Sequence, residues 1–378
     1  MYTVYADETL IYSPDLVDEG KIIFSPSFTK EVNKSGTCSF QMYATNPFFK
    51  NIKALKTCIV IKDNDEEVWR GRVLTIEKNF DNRKNIDCEG TFAYLNDSVV
   101  RPFKHTKTMA EQLTYIIEKH NEEVEEYKQF AIGTIDVDDP KGSIEWEETG
   151  YSKTKDLVER ILNGYGGYMV VGWNGTKNTL NYVKNPGNTS TNQVINFGEN
   201  LLDLKVSINP DNVFTVLIPI AYDANNNKIT IESVNDGKDY LESIAGIAEY
   251  GKIYYEHTFD EDIATPAALK AKAEEFLASN IKASNTVEVR AVDLHQIDPT
   301  INRINLYDII KVVSEPHEID EYEMCSKVVI NLESPDSNEY TIGTIPEGIT
   351  DIIANGGSKT VKVAGGGSSL PNGDNVQY

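Results

Sequence analysis

The chain has 378 residues, of which 40% are hydrophobic and 25% charged. That is a globular composition, long enough for two to three separate cores, and it excludes a wholly disordered chain. Lys and Arg number 36 against 59 Asp and Glu, a formal net charge of −23. Affinity for nucleic acid rests on basic side chains displacing phosphate counterions, and anionic membranes attract the same side chains. This balance therefore argues against sequence-specific nucleic-acid binding and against a membrane surface as partner.

The N-terminal residues Met1-Tyr2-Thr3-Val4-Tyr5-Ala6-Asp7-Glu8 have neither a basic start nor an apolar run, so no secretory signal is expected. No stretch approaches the ~18 apolar residues of a membrane-spanning helix. Four cysteines (Cys38, Cys58, Cys88, Cys325) stand far apart without a CxxC. Reduced thiols in strands of a protein made in the cytoplasm are expected, rather than disulfides or zinc.

In chain order, the first hundred residues read as β. Thr37 to Tyr43 alternates apolar and polar, the period of a half-buried strand. Thr57 to Ile61 and Glu67 to Ile76 flank Asp63-Asn64-Asp65-Glu66, a hairpin pattern. The acidic run from Asp63 to Glu67 lacks the glycine and distal glutamate of a calcium loop, so a solvated hairpin tip is expected.

After Pro102 the period becomes helical. Thr108-Met109-Ala110-Glu111 is a capping box, and Met109, Leu113, Ile116, Ile117 and Val124 share one helix face. A second helix carries Leu157, Val158, Ile161 and Leu162 and is expected to end at Asn163-Gly164. Strands over Tyr168–Trp173 and Asn178–Val183 enclose Asn174-Gly175, which favours a type I′ turn because both residues tolerate φ > 0. From about residue 196 the pattern is β again, with strands at Val213–Ile220, Lys228–Val234 and Val287–Val292. One helix intervenes, opened by Thr265-Pro266 and ending near Asn280. The last residues, from about 346, contain Gly356-Gly357 and Gly365-Gly366-Gly367-Ser368-Ser369 and read as a flexible tether.

Two β regions resemble each other. Leu55 to Val60, Arg72 to Glu77 and Asn85 to Gly90 rhyme with Leu306 to Lys311, Lys327 to Leu332 and Asn338 to Gly343. Two barrel-like modules of one kind, or merely two similar antiparallel meanders, would both produce this pattern.

Catalytic signals are missing. His105, His120, His257, His295 and His317 form no HExxH, and GxSxG, GxGxxG and GxxxxGK[ST] do not occur. His120 sits in an acidic stretch and reads as a solvated helix end. Asp136, Asp138 and Asp139, just before Pro140, read as a loop. No catalytic, cofactor-binding or metal-ligating residue is identified. Between 111 and 150, twelve acidic residues face three lysines. This is either a solubilising surface or the lining of a conduit that must not hold a passing polyanion.

Several blocks carry a family resemblance. They are Asn46 to Thr57, Trp69 to Leu74, Cys88 to Ser98, Phe197 to Leu204, Ile231 to Tyr240 and Ala291 to His295. Over about residues 2–345 the chain resembles the N-terminal region of phage minor structural proteins, the tail-associated lysin or prophage endopeptidase tail family of long-tailed phages of Gram-positive bacteria. The resemblance implies a mainly β fold with α+β insertions, the phage baseplate hub fold, in which two tail-tube-like β-barrel domains are joined by smaller α+β domains. The boundaries expected are a first barrel at 1–103, an α+β domain at 104–195, a second barrel at 196–345 with an α/β insertion at about 235–282, and a Gly/Ser-rich tail at 346–378.

The resemblance further implies a homotrimer in the virion, at the tail tip or baseplate. Two barrels in each of three subunits would give a pseudo-sixfold ring that closes the tube and matches a sixfold tail to a threefold tip. The implied partners are the distal tail protein, the tape measure protein and receptor-binding or tail-fibre proteins, with DNA passing through without sequence-specific binding. A tail-like bacteriocin would use the same hub. Relatives often carry Gly-Asp where this chain has Tyr307-Asp308, so the turn there is expected to differ. Wall-cutting members carry the hydrolase in an extra C-terminal domain that has no counterpart here, so no enzyme and no cofactor are expected. The alternatives are a peptidoglycan-degrading endopeptidase using His120 or His295 beside carboxylates, and a glycan-binding module suggested by 20 Tyr and 3 Trp.

Overall fold

A computed structural model of the chain describes residues 1–343 except 189–190, 210–212, 224–226, 260–262, 264, 280–283 and 299. The tail expected at 346–378 and the helix end expected at Asn280 lie outside the described residues. The fold is mainly β, with few helices.

The first module holds β1 (Tyr2–Ala6), β2 (Thr9–Tyr12), β3 (Phe24–Glu31), β4 (Thr37–Tyr43), β5 (Cys58–Asp63), β6 (Glu66–Lys78) and β7 (Arg83–Gly90). They pair in the order β3-β4-β7-β6-β5-β1-β2, every pair antiparallel. Alternation explains β4: Cys38, Phe40 and Met42 point into the core, while Thr37, Ser39 and Gln41 stand on the other face. The β5–β6 hairpin turns at Asn64-Asp65, both at positive φ, where short polar side chains are tolerated. Its neighbour Asp63 is not solvated as expected. It is buried, accepts the N-terminal ammonium at 2.7 Å and pairs with Arg303 at 2.6 Å.

The next elements are β8 (Val99–Val100), β9 (Phe103–Lys107), α1 (Met109–Glu123), β10 (Phe130–Ile135), β11 (Ile144–Glu148), β12 (Ser152–Lys153), α2 (Thr154–Tyr165), β13 (Tyr168–Trp173) and β14 (Asn178–Val183). Both halves of the capping box form: Glu111 N–H donates to Thr108 Oγ1, and the Thr108 N–H donates to Glu111. Met109, Leu113, Ile116 and Ile117 of α1 and Leu157, Val158 and Ile161 of α2 build a core with Leu180 and Tyr182 of the β10-β14-β13 sheet. Helix α2 runs past Gly164 to Tyr165 and stops where Gly166 takes φ +70°. The β13–β14 turn is not type I′. Trp173 pairs with Asn178, so four residues turn, and Asn174 accepts from the N–H groups of Thr176 and Lys177 while Gly175 alone takes positive φ.

The second module contains β15 (Val194–Asn196) and β16 (Leu201–Asn209), then an insertion. The insertion comprises β17 (Val216–Tyr222), β18 (Lys228–Ile229), β19 (Leu241–Glu242), α3 (Ile244–Tyr250), β20 (Tyr254–Thr258) and α4 (Pro266–Ser279). Thr265 caps α4 as expected, its Oγ1 accepting from Ala268 N–H, and Leu269, Ala273 and Leu277 are buried. The insertion core starts at Phe214, upstream of the expected 235, and the strand expected over 228–234 shortens to β18 followed by a 3₁₀ turn at Glu232–Val234. The module resumes with β21 (Ser284–Ala291), β22 (Ile309–Ser314), β23 (Ile319–Asn331) and β24 (Glu339–Gly343).

Strand β23 joins the modules. Its first half pairs with β22, its second half pairs with β24 on one edge and with β3 on the other. One sheet therefore runs β16-β21-β24-β23-β3-β4-β7-β6 through both modules, over a single apolar core drawn from each. Among the described residues no helix is long and apolar enough to cross a membrane.

Candidate functional site

The two β modules repeat in backbone detail. Leu55 and Tyr307 both sit at positive φ, +60° and +74°. Leu55 N–H donates to Val73 O at 2.7 Å, and Tyr307 N–H donates to Cys325 O at 2.8 Å. Val73 N–H returns to Thr57 O, whereas Cys325 N–H returns to Asp308 O, one position earlier in the repeat. A bulge interrupts β6–β7 between Val73 and Thr75 and β23–β24 between Cys325 and Lys327. A shared bulge is a deliberate feature rather than a resemblance between any two meanders. The same spacing separates 55 from 307, 73 from 325 and 75 from 327. The alignment expected from sequence set Arg72 against Lys327. The structure sets Arg72 against Met324, and Asn79-Phe80 against Asn331-Leu332.

Tyr307 keeps the left-handed backbone that a glycine would adopt freely. Gly187 crosses it so closely that an added Cβ would meet Tyr307 O at 2.0 Å. The tyrosine ring packs edge-on to Tyr168 of β13, and burial pushes its hydroxyl up to about 12. Asp308 secures the turn by accepting from the N–H groups of Asn188 and Asn305.

At the junction, Lys327, Val328, Val329, Ile330 and Asn331 face Glu31, Lys30, Thr29, Phe28 and Ser27 in turn. Just beyond, Leu332 N–H donates to Pro26 O at 3.0 Å and its side chain is only 6% exposed. Among the described residues the matching edges elsewhere meet no further strand. Beyond Val73, β6 is paired only with β7, and β16 is paired as a strand only with β21. Leu74 on the first edge and Leu202 and Val206 on the second are exposed, and Phe80 is fully exposed. Unpaired edges with apolar side chains are the usual template for pairing with another chain.

The sheet face away from the core is polar. In the first module it carries Ser27 against Ser39, Thr75 donating to Asp87, and Asn85 beside Glu77. In the second, Asp203, Lys205, Arg290, Lys327, Glu339 and Thr341 border a groove of about 250 Å³. The acidic residues of 111–150, weighed above as a conduit lining, stand elsewhere, on and around α1 and β11. There they pair with Arg101, Lys104, Arg160 and Lys184.

Arg72 fastens the first module to the α+β region. It is 5% exposed, lies across the Tyr94 ring, and ion-pairs with Glu89 at 2.7 Å and with Asp97, which Lys128 also reaches. Burial alone would raise the Asp97 carboxyl, but hydrogen bonds from Arg72 and Lys128 and their charges hold it below its ordinary range. Burial opposes the charge of Arg72 as well, and the two carboxylates more than restore it.

The histidines do structural work. His120 is not a solvated helix end. It is fully buried, its Nδ1 at 2.6 Å from Ser98 Oγ and its Nε2 donating to Lys128 O, with its pKa pushed down by burial. Ser98 also bonds Thr154, so the three side chains tie α1 to the start of α2. His295 Nδ1 meets Ile301 O, His105 meets Gln112, His317 meets Ser314, and His257 stacks on Phe276. Among the described residues no three His, Cys, Asp or Glu gather as a metal site. Asp136 and Asp139, loop residues as expected, accept from the N–H groups of Lys184 and Met109. Cys38, Cys88 and Cys325 are buried, Cys58 half-buried, and all four are free. Of the aromatic rings, Trp69, Tyr94, Tyr182 and Tyr340 lie in the cores and Trp173 is covered by Arg70 at 4.0 Å.

Comparison with known proteins places this geometry. A family model described as prophage endopeptidase tail matches residues 189–353, the second module with its insertion. No curated protein matches the chain. The fold is similar to that of the prophage MuSo2 43 kDa tail protein from Shewanella oneidensis, at TM-score 0.61 and 13% identity, over 91% of this chain and 97% of that one. It is similar also to a tail protein from Neisseria meningitidis MC58, at TM-score 0.61 and 10% identity over 91% and 96%. The prophage tail protein gp18 from Listeria monocytogenes EGD-e matches at TM-score 0.55 and 15% identity over 93% and 97%. The resemblance to phage tail proteins drawn from the sequence thus extends to the fold.

Proposed function

From a chain with the fold of phage tail proteins, we propose a structural hub at the tail tip or baseplate of a long-tailed phage or prophage. The observation that carries this is the duplicated β module joined into one sheet through β3 and β23, with the equivalent edges of β6 and β16 unpaired among the described residues. A unit that joins two copies of a module in line, and repeats its joining edges at both ends, can associate head to tail, and closes a ring where the rotation per copy brings the last edge to the first. Three chains supply six modules, which fit beneath a sixfold tube while keeping threefold symmetry for what lies below. The division at 1–103, 104–195 and 196–345 is part of this proposal, supported by separate apolar cores in the α+β region and the insertion.

In this reading the polar sheet face lines the tube. In the first module this face carries hydroxyls and carboxylates, and in the second Lys205, Arg290 and Lys327 stand among Asp203 and Glu339, so that it offers a passing DNA no run of uncompensated cations. The distal tail protein would sit above, the tape measure protein within, and receptor-binding or fibre proteins below, in a virion assembled in the host cytoplasm. The role is non-enzymatic, which the structural partners of His120 and His295 support.

The mass of the full chain in solution, measured by light scattering across a concentration series, tests the ring. Three chain masses are expected. A single chain mass at every concentration up to the solubility limit would remove the hub reading. Clearing of cell-wall substrate in a zymogram, abolished by His120→Asn, would favour the endopeptidase instead.

A further inference from the structure

Phe80 is the most exposed large apolar side chain described, at the tip of the β6–β7 hairpin. Its counterpart in the second module, Leu332, is buried against the first module, where its N–H reaches Pro26 O. An intact duplication with one occupied and one vacant junction defines what should fill the vacancy.

The register follows from strand pairing alone. Phe28 pairs with Cys38, Cys38 with Cys88, and Cys88 with Val73. Val206 pairs with Val287, Val287 with Ile342, and Ile342 with Cys325. Since Val73 and Cys325 are equivalent, Phe28 and Val206 hold equivalent places, and so do Pro26 and Leu204. In the occupied junction Ile330 faces Phe28. The equivalent of Ile330 is Lys78, so Lys78 belongs opposite Val206.

We propose that the β6 edge of one chain pairs antiparallel with β16 of a second copy, Lys78 opposite Val206, and that Phe80 anchors this contact against Leu204 as Leu332 is anchored at Pro26. The inference rests on the trimeric reading and adds its register and its energetic centre. Exposed Leu74 lies along the same β6 edge, and its equivalent in the second module, Ser326, is buried. Large aromatic side chains that fill a desolvated site commonly dominate such interfaces.

The test uses the full chain with Lys78→Cys and Val206→Cys together. Directly opposed residues in an antiparallel pair have Cβ atoms about 4.5–5.5 Å apart, near the separation a disulfide requires. Mild oxidation should give a ladder ending at three chains for the double variant and none for either single variant. Phe80→Ser should raise the dissociation concentration of the trimer at least tenfold while leaving circular dichroism and Tm of the separated chain unchanged, because the side chain is free in one copy. A wild-type trimer that neither cross-links at this pair nor weakens with Phe80→Ser overturns the register and the anchor but spares the hub. A wild-type chain that stays monomeric, with no ladder from the double variant, overturns both.

Discussion

Phe80 and Leu332 occupy the same place in two copies of one β module, the first in solvent and the second in the core. Around them the modules match: the left-handed residue before β5 and β22, the hydrogen bonds to Val73 and Cys325, and the bulge that follows. The difference lies in what each module meets. The β23 edge finds β3 in its own chain, whereas the β6 edge finds no strand among the described residues. Burial of this hairpin end is thus a property of the neighbour and not of the module.

The largest effect should come from grafting the second module's residue onto the first. Arg72→Met installs the Met324 equivalent, leaves Glu89 without its ion-pair partner and leaves Asp97 with Lys128 alone. A loss of about 3 kcal/mol in urea unfolding is expected, from two charge-assisted hydrogen-bonded pairs and the packing on Tyr94. The carboxyl of Asp97 is held low in the folded chain, so its stabilisation is present above its unfolded value of about 3.9 and fades as pH falls through the folded one. The gap between wild type and variant should therefore narrow below about pH 4. A gap independent of pH would show that packing of Arg72 on Tyr94, not charge, makes the joint.

Next in size, Leu332→Ala should cost about 2–5 kcal/mol, the usual range for a buried leucine. Phe80→Ala should stay within about 0.5 kcal/mol when the chains are kept separate by dilution. Equal costs would mean that Phe80 already has a site within its own chain. The smallest effect concerns the left-handed pair. Leu55→Gly relieves a backbone conformation worth about 1 kcal/mol and removes an exposed side chain, so thermal melting should rise slightly. Tyr307→Gly gains the same relief but loses the ring on Tyr168, so Tm should fall. If both variants move the same way, the tyrosine ring contributes nothing at this turn.

Local chemistry made many elements legible. Strand β4 follows its alternation from Thr37 to Tyr43, and α1 and α4 begin where Thr108 and Thr265 offer side-chain oxygens to free N–H groups. Composition placed the cysteines in strands. The turns were less legible: Asn174-Gly175 folded as a four-residue loop because the Asn174 side chain, not its own backbone, satisfies the N–H groups beyond it. Asp63 looked like a hairpin carboxylate in water, since nothing near it in sequence predicts the N-terminus and Arg303 as its partners. His120 looked solvated among glutamates, yet the helix turns it towards Ser98 and away from them.

By itself the sequence determined the β-rich composition, the helix starts, two β regions that rhyme and the family the chain resembles, because each depends on residues close together or on their order along the chain. Tertiary structure alone decided the register of the repeat, the β3–β23 joint and the exposure of Phe80. Strand pairing over some three hundred residues is chosen by the core that both modules share, and an edge is open or closed only relative to what has folded beside it.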